Sequence, residues 1–166
     1  MNDLQRDLPI IFRDSHNVEA YEDARTGRLF NKRRPDRFPA AVVEASKVEH
    51  VVGAIQLARQ RKWRVSVRSG GHSWACWSVR DDAILVDLGK LHRLDLDEEK
   101  SIASVSPSTT GRQLNAVLGT KGLMFGGGHC PDVGLGGFLL QGGMGMPSSK
   151  RRVSKEKSLN SLSRVW

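Results

Sequence analysis

The stretch from Ala40 to Arg68 constrains the fold more than any other part of the chain. Ala40-Ala41-Val42-Val43 is an apolar run of strand length. Ser46 follows, with Glu49 three residues on, a capping-box pattern that predicts a helix start. Val48, Val51, Val52, Ile55 and Ala58 then recur at helical spacing, with Gln56, Arg59 and Gln60 on the other face. Trp63 to Arg68 alternates apolar and polar residues, so a strand returns. Strand, helix, strand is a βαβ unit, which needs parallel pairing and a right-handed crossover.

The remaining elements are shorter. Residues 1–20 show no sustained period and are expected to form an irregular arm. Tyr21 to Arg37 is polar, with Asp23-Ala24-Arg25-Thr26-Gly27 as a turn. Ala83 to Leu88 reads as a buried strand, and His92–Leu96 and Ser101–Ser106 as two strands around an Asp97-Glu98-Glu99-Lys100 turn. Thr110 and Gln113 form a second capping-box pattern, for a helix through Leu118 that Gly119 stops. Leu123-Met124-Phe125 is a last short strand. The fold class expected is α+β.

Charge narrows the function classes. The chain carries +8, but residues 146–166 alone carry +5, so the first 145 residues hold only +3. A basic module holding nucleic acid should interleave aromatic residues with its positive patch. The tail has a single aromatic, Trp166, at its end, so a non-catalytic basic binding module is only the alternative reading. No run of about 18 apolar residues and no secretory signal is seen, so neither a membrane nor a nucleic-acid partner is expected, and a cytoplasmic location is. Cys76 and Cys130 are too few for a disulfide framework, the histidines lack metal-ligand spacing, and no metal is expected.

Glycine marks the chemistry. More than half of the 17 glycines lie between Gly111 and Gly145, a local demand for unusual backbone. The strand ending at Arg68 runs into Ser69-Gly70-Gly71-His72-Ser73. Two glycines let a backbone approach a ligand closely, and successive amides there can cradle a pyrophosphate, with Arg68 adding charge; a plain turn is the other reading. A P-loop needs Gly-Lys-Ser/Thr, which is absent, and the Rossmann fingerprint fails because its third glycine would fall at Leu139. His72 is either a solvated turn residue or, beside such a loop, a nucleophile. Cys130 is either a small buried hydrophobe or a thiolate favoured by the amide dipoles of a glycine-rich, helix-capping segment. Cys76, between Ala75 and Trp77, reads as packing. A thiol hydrolase using His129 and Cys130 is disfavoured, because adjacent residues in an extended segment point to opposite sides.

Arg68-Ser69-Gly70-Gly71-His72-Ser73 and, later, Gly128-His129-Cys130-Pro131-Asp132-Val133-Gly134-Leu135-Gly136-Gly137 together resemble the vanillyl-alcohol-oxidase (PCMH-type) FAD-binding domain family. Within it the pair is most similar to the berberine-bridge-enzyme-like and hydroxynicotine-oxidase-like branch. The resemblance spans about Tyr21 to Gly145. It implies FAD as cofactor and a two-subdomain FAD-binding domain. It also implies that Arg68, Ser69, Gly70, Gly71, His72 and Ser73 wrap the pyrophosphate, with His72 bonded to the flavin 8α-methyl carbon. Cys130 matches the residue that bonds flavin C6 in bicovalent members. Val133, Gly134, Gly136 and Gly137 would lie along the flavin, and Gly142, Gly143 and Gly145 match a further glycine turn near it. Many members have a His where this chain has Phe138, so Phe138 would face the cofactor without polar tuning.

The implied parent is an FAD-dependent oxidoreductase that oxidises a small organic alcohol, amine, sugar or alkaloid by hydride transfer. Beyond Gly145 the texture turns to Lys, Arg and Ser. The expected division is an N-terminal arm over residues 1–20, a partial FAD-binding domain over 21–145 and a basic, disordered tail over 146–166. A chain so divided would be an incomplete piece of the enzyme.

Overall fold

The computed structural model describes residues 7–100, 102–142 and 157–158. The chain divides into two compact units, Met1–Leu91 and His92–Trp166.

In the first unit, β1 (Ile10–Phe12) leads into α1 (Val18–Thr26), then β2 (Ala41–Glu44), α2 (Val48–Arg61), β3 (Arg64–Arg68) and β4 (Ala83–Asp87). The sheet order is β1-β2-β4-β3, with β1 antiparallel to β2 and the other pairs parallel. The expected βαβ unit is present. Its two strands are not neighbours, however, because β4 lies between them.

Central β4, Ala-Ile-Leu-Val-Asp, is buried at every residue, as a strand covered on both faces must be. Ala54 and Ala58 of α2 pack on Ala41, Val43, Ile84 and Val86. On the other face, Tyr21 and Ala24 of α1 cover Val42 and Leu85, and the Tyr21 hydroxyl donates to the Pro39 carbonyl at 2.7 Å.

Three expectations for this unit are corrected. The arm holds β1, whose three residues are too short to show a period but are fixed by their ladder with β2. The turn proposed at Asp23–Gly27 is the end of α1, capped by Asn17, whose side chain accepts from the Ala20 N–H. Ser46 does not cap α2. The cap position is Lys47, without a side-chain bond, and Ser46 instead gives its N–H to His50 Nδ1 at 3.3 Å.

In the second unit, β5 (Leu94–Asp97) and β6 (Ile102–Val105) form an antiparallel pair. Then come α3 (Gly111–Gly119), β7 (Leu123–Met124) and α4 (Leu135–Gln141), and β8 (Lys157–Ser158) runs parallel to β7. Thr110 and Gln113 make the expected capping box at the start of α3. The core is Ala103, Val105, Leu114, Leu118, Phe125 and Leu135. No helix among the described residues is long and apolar enough to cross a membrane.

Candidate functional site

β3 delivers Ser69 to Ser73 at the C-terminal edge of the parallel strands, where open α/β sheets offer ligand crevices. A second segment, residues 28–31, braces this loop. Arg28 Nη2 donates to the Ser69 carbonyl at 2.9 Å, the Phe30 N–H to the Gly71 carbonyl at 3.2 Å, and Asn31 Nδ2 to the Trp74 carbonyl at 3.1 Å. Gly71 has φ +72°, and a Cβ there would lie 2.2 Å from the Arg28 carbonyl oxygen. Both the dihedral and the contact require glycine.

Among the described residues, no protein acceptor takes the backbone N–H of Ser69, Gly70, Gly71 or Ser73. Buried or half-buried amides normally find a partner. Four unpartnered donors in a five-residue loop therefore suit an oxygen-rich anion.

Arg68 corrects an expectation. It is only 2% exposed, and its guanidinium is turned inward. Nε donates to Asp87 Oδ2 at 2.7 Å and Nη1 to the Arg25 carbonyl at 2.6 Å, while Nη2 reaches the Ala24 carbonyl and Asp87. Asp87 Oδ1 accepts from Arg28 Nη1 and from the Gly89 N–H. The Arg68 side chain is thus a buried support beneath the loop. Two guanidiniums share one carboxylate, so the base of the loop keeps a net positive charge that favours an anion above it.

Ser73 ends the loop by accepting the Cys76 N–H at its carbonyl and the Trp77 N–H at Oγ. Cys76 is buried beside Leu29 and Val79, as packing. His72 is half-buried and stacks on Phe30.

In the second unit, the segment from Cys130 to Gly136 lies along the start of α3. The N–H of Arg112 donates to the Pro131 carbonyl at 2.7 Å and that of Gly111 to the Val133 carbonyl at 3.4 Å. Leu135 and Gly136 return their N–H groups to the carbonyls of Thr109 and Pro107, each at 2.8 Å. Half-buried Cys130 precedes α4 by five residues, so it does not cap that helix. Arg112 pairs with Asp132 at 2.7 and 2.9 Å, and its pKa is raised by that hydrogen-bonded pairing first and by Cys130 least.

Two further residues of this segment have close protein neighbours. A Cβ on Gly136 would sit 2.7 Å from Pro107 Cβ, so this glycine serves a close backbone approach within the protein. Phe138 meets Phe125 edge-on at 6.3 Å and packs against the core, with Gly128 beneath its ring. Gly134 is buried and Gly137 exposed. Gly142 closes α4 at φ +73°. Gly143 and Gly145 lie outside the described residues.

A family described as an FAD binding domain matches residues 39–157. The chain belongs to that family. Its cofactor is FAD. The chain is 48% identical over 141 residues to the FAD-linked oxidoreductase nodO of Hypoxylon pulicicidum, covering 85% of this chain and 31% of that protein. In fold it is similar to the xylooligosaccharide oxidase from Myceliophthora thermophila in complex with xylobiose, with TM-score 0.71, 32% identity and coverage of 85% and 29%. It is also similar to the BBE-like 1 protein of Physcomitrella patens, with TM-score 0.75, 27% identity and coverage of 89% and 31%. The chain thus spans less than a third of the length of these relatives, as an N-terminal part of a PCMH-type FAD-binding oxidoreductase would.

Sequence reasoning missed Arg28, Phe30 and Asp87. Asp87 carried a signal: a carboxylate closing a wholly apolar strand is buried and needs a cationic partner. Arg28 and Phe30 carried none, since their role arises only when residues 28–31 meet the loop.

Proposed function

We propose that this chain forms the flavin-anchoring part of an FAD-linked oxidoreductase, residues 21–145 being the segment that holds FAD. His72 is the covalent anchor to the 8α-methyl carbon, and Cys130 is the second anchor, to C6. The observation that carries this reading is the braced loop Ser69–Ser73, with unpartnered amides above a net positive base. FAD would supply the two-electron acceptor for hydride removal from a small organic substrate, and its attachment to His72 would replace an imidazole N–H and a methyl C–H by a C–N bond, the two electrons and two protons going to dioxygen.

The residues of the chain hold and orient. Gly71 keeps the loop backbone within hydrogen-bond reach of Phe30 and clear of any Cβ. Arg28 holds the Ser69 end of the loop, and Arg28 and Arg68 set its charge. His72 offers an imidazole nitrogen as nucleophile. In the second unit, Val133, Gly134 and Gly137 lie on the segment that would face the ring, and Gly136 fixes that segment to Pro107.

Incubation of the chain with FAD, acid precipitation and mass spectrometry of a tryptic digest tests the anchor. Flavin mass on the peptide containing His72 is expected. Acid-stable flavin elsewhere, with His72 unmodified, would overturn the assignment. A Cys130→Ala variant should keep flavin on His72 with a changed absorption spectrum, whereas an unchanged spectrum would leave Cys130 as packing only.

A further inference from the structure

The ring of Phe30 lies face to face with the imidazole of His72, their centroids 4.0 Å apart and their planes 9° from parallel. Trp74 meets Phe30 edge-on from within the same loop, at 5.0 Å and 88°. The backbone ties Phe30 to the residue before His72, through its N–H to the Gly71 carbonyl at 3.2 Å. Its neighbours are fixed as well. Leu29 is buried against Cys76 and Val79, and the Asn31 amide holds the Trp74 carbonyl. Lys32 closes the turn at φ +55°, giving its N–H to the Leu29 carbonyl at 3.1 Å.

These contacts bear on the nucleophile. The lone pair of an imidazole nitrogen lies in the ring plane, so the direction of attack is set by how the ring is rotated about its bond to Cβ. That torsion is broad in an unconstrained histidine. A parallel stack removes the freedom, because rotation of the imidazole drives its edge into the facing ring. The stack covers one ring face and leaves the edge bearing the nitrogens uncovered by Phe30.

We propose that Phe30 is a positioning residue for His72: its ring sets the plane in which the imidazole presents its nitrogen to the flavin 8α-methyl carbon. This rests on the reading of His72 as the anchor. Phe30 contacts the face of the imidazole and acts through His72. Its effect should appear in the rate of attachment more than in the affinity for FAD.

The test compares the whole chain with Phe30→Leu, Phe30→Tyr and His72→Ala variants, each incubated with FAD. Total bound FAD and acid-stable flavin are followed separately over time. Leucine keeps the apolar bulk and loses the flat face, while tyrosine keeps the face. Phe30→Leu should bind as much FAD at saturation and attach it about tenfold more slowly, a factor that a lost aromatic stack can supply. Phe30→Tyr should restore the rate, and His72→Ala should attach none. In the FAD-free protein, the His72 ring protons should lie upfield of their position in Phe30→Leu, from the ring current of Phe30.

Attachment at the wild-type rate in Phe30→Leu, or no difference in the His72 proton shifts, overturns the inference. So does parallel loss of binding and attachment that tyrosine fails to rescue, which would make Phe30 merely structural. A wild-type chain with no flavin on His72 overturns the anchor reading itself, a result distinct from the other three.

Discussion

Arg68 Nε donates to Asp87 Oδ2 at 2.7 Å, joining the last residues of two adjacent parallel strands beneath the candidate flavin loop. Both side chains are almost wholly buried, at 1% and 3% exposed. A buried pair of this kind contributes little relative to an apolar replacement, but removing one partner leaves an uncompensated charge. Asp87→Asn should therefore destabilise the chain by about 3–5 kcal/mol. It also frees Arg28, whose Nη2 holds the Ser69 carbonyl, so FAD affinity should fall with stability. Urea unfolding and FAD titration of the same variant check both, and a loss under about 1 kcal/mol would mean that water reaches the pair.

Two glycines of the second unit should answer differently to the same substitution. Gly136→Ala places a Cβ 2.7 Å from Pro107 Cβ and 3.0 Å from its carbonyl oxygen, a closed ring and a backbone atom that cannot swing aside. Overpacking of this order costs about 1–3 kcal/mol. Gly119, the last residue of α3, has nothing within 4 Å of a Cβ and no positive φ. Gly119→Ala should be neutral or stabilising by up to about 1 kcal/mol. Thermal melts of both variants give the contrast, and equal melting points would refute the close approach at Gly136.

The parallel strands, the capping box at Thr110–Gln113 and the position of the first loop were legible because each has a local signature. Periodicity reports burial, a hydroxyl before a glutamine reports a cap, and paired glycines report a turn. What was not legible depended on distant partners. β1 exists only by pairing with β2. Nothing near Arg68 in sequence shows that Asp87 and the Ala24 and Arg25 carbonyls surround its guanidinium. The neighbours of Gly136 and Phe138, Pro107 and Phe125, likewise come from other elements of the fold.

The helix α2 shows how a correct element can carry a face that is only partly right. Of the apolar stripe Val48, Val51, Val52, Ile55 and Ala58, Ala58 is buried and Val51 packs against the core, but Val48, Val52 and Ile55 are 62%, 41% and 44% exposed. Beside Ala58 the buried face is made of small residues, Gly53 and Ala54, which let the helix approach closely. Val48→Thr should change stability by less than about 0.5 kcal/mol, as surface substitutions do. Ala54→Leu, at a position with no exposed surface, should cost about 1–3 kcal/mol through overpacking. A denaturation midpoint that moves more for the valine than for the alanine would place the stripe in the core after all.

His50 should make stability depend on pH near neutrality. The residue is 9% exposed, and Nδ1 accepts the Ser46 N–H at 3.3 Å where α2 begins. Burial first, and then the charge of Lys47, hold its pKa below the ordinary value of 6.5, against weaker opposition from Glu49 and Asp7. The folded state therefore takes up the proton less readily than the unfolded state. The associated stability is fully present above pH 6.5 and is lost as pH falls through the lower folded value. Protonation of Nδ1 would also end its acceptance of the Ser46 N–H and loosen the helix start. His50→Gln removes the titration and keeps a side chain that can accept a hydrogen bond. Urea unfolding of both proteins at pH 8 and pH 5 should show wild type losing more stability on acidification than the variant. The carboxylates common to the two cancel in that comparison. Equal losses, or a larger loss in His50→Gln, would show that His50 is solvated in the folded chain and plays no part in its acid sensitivity.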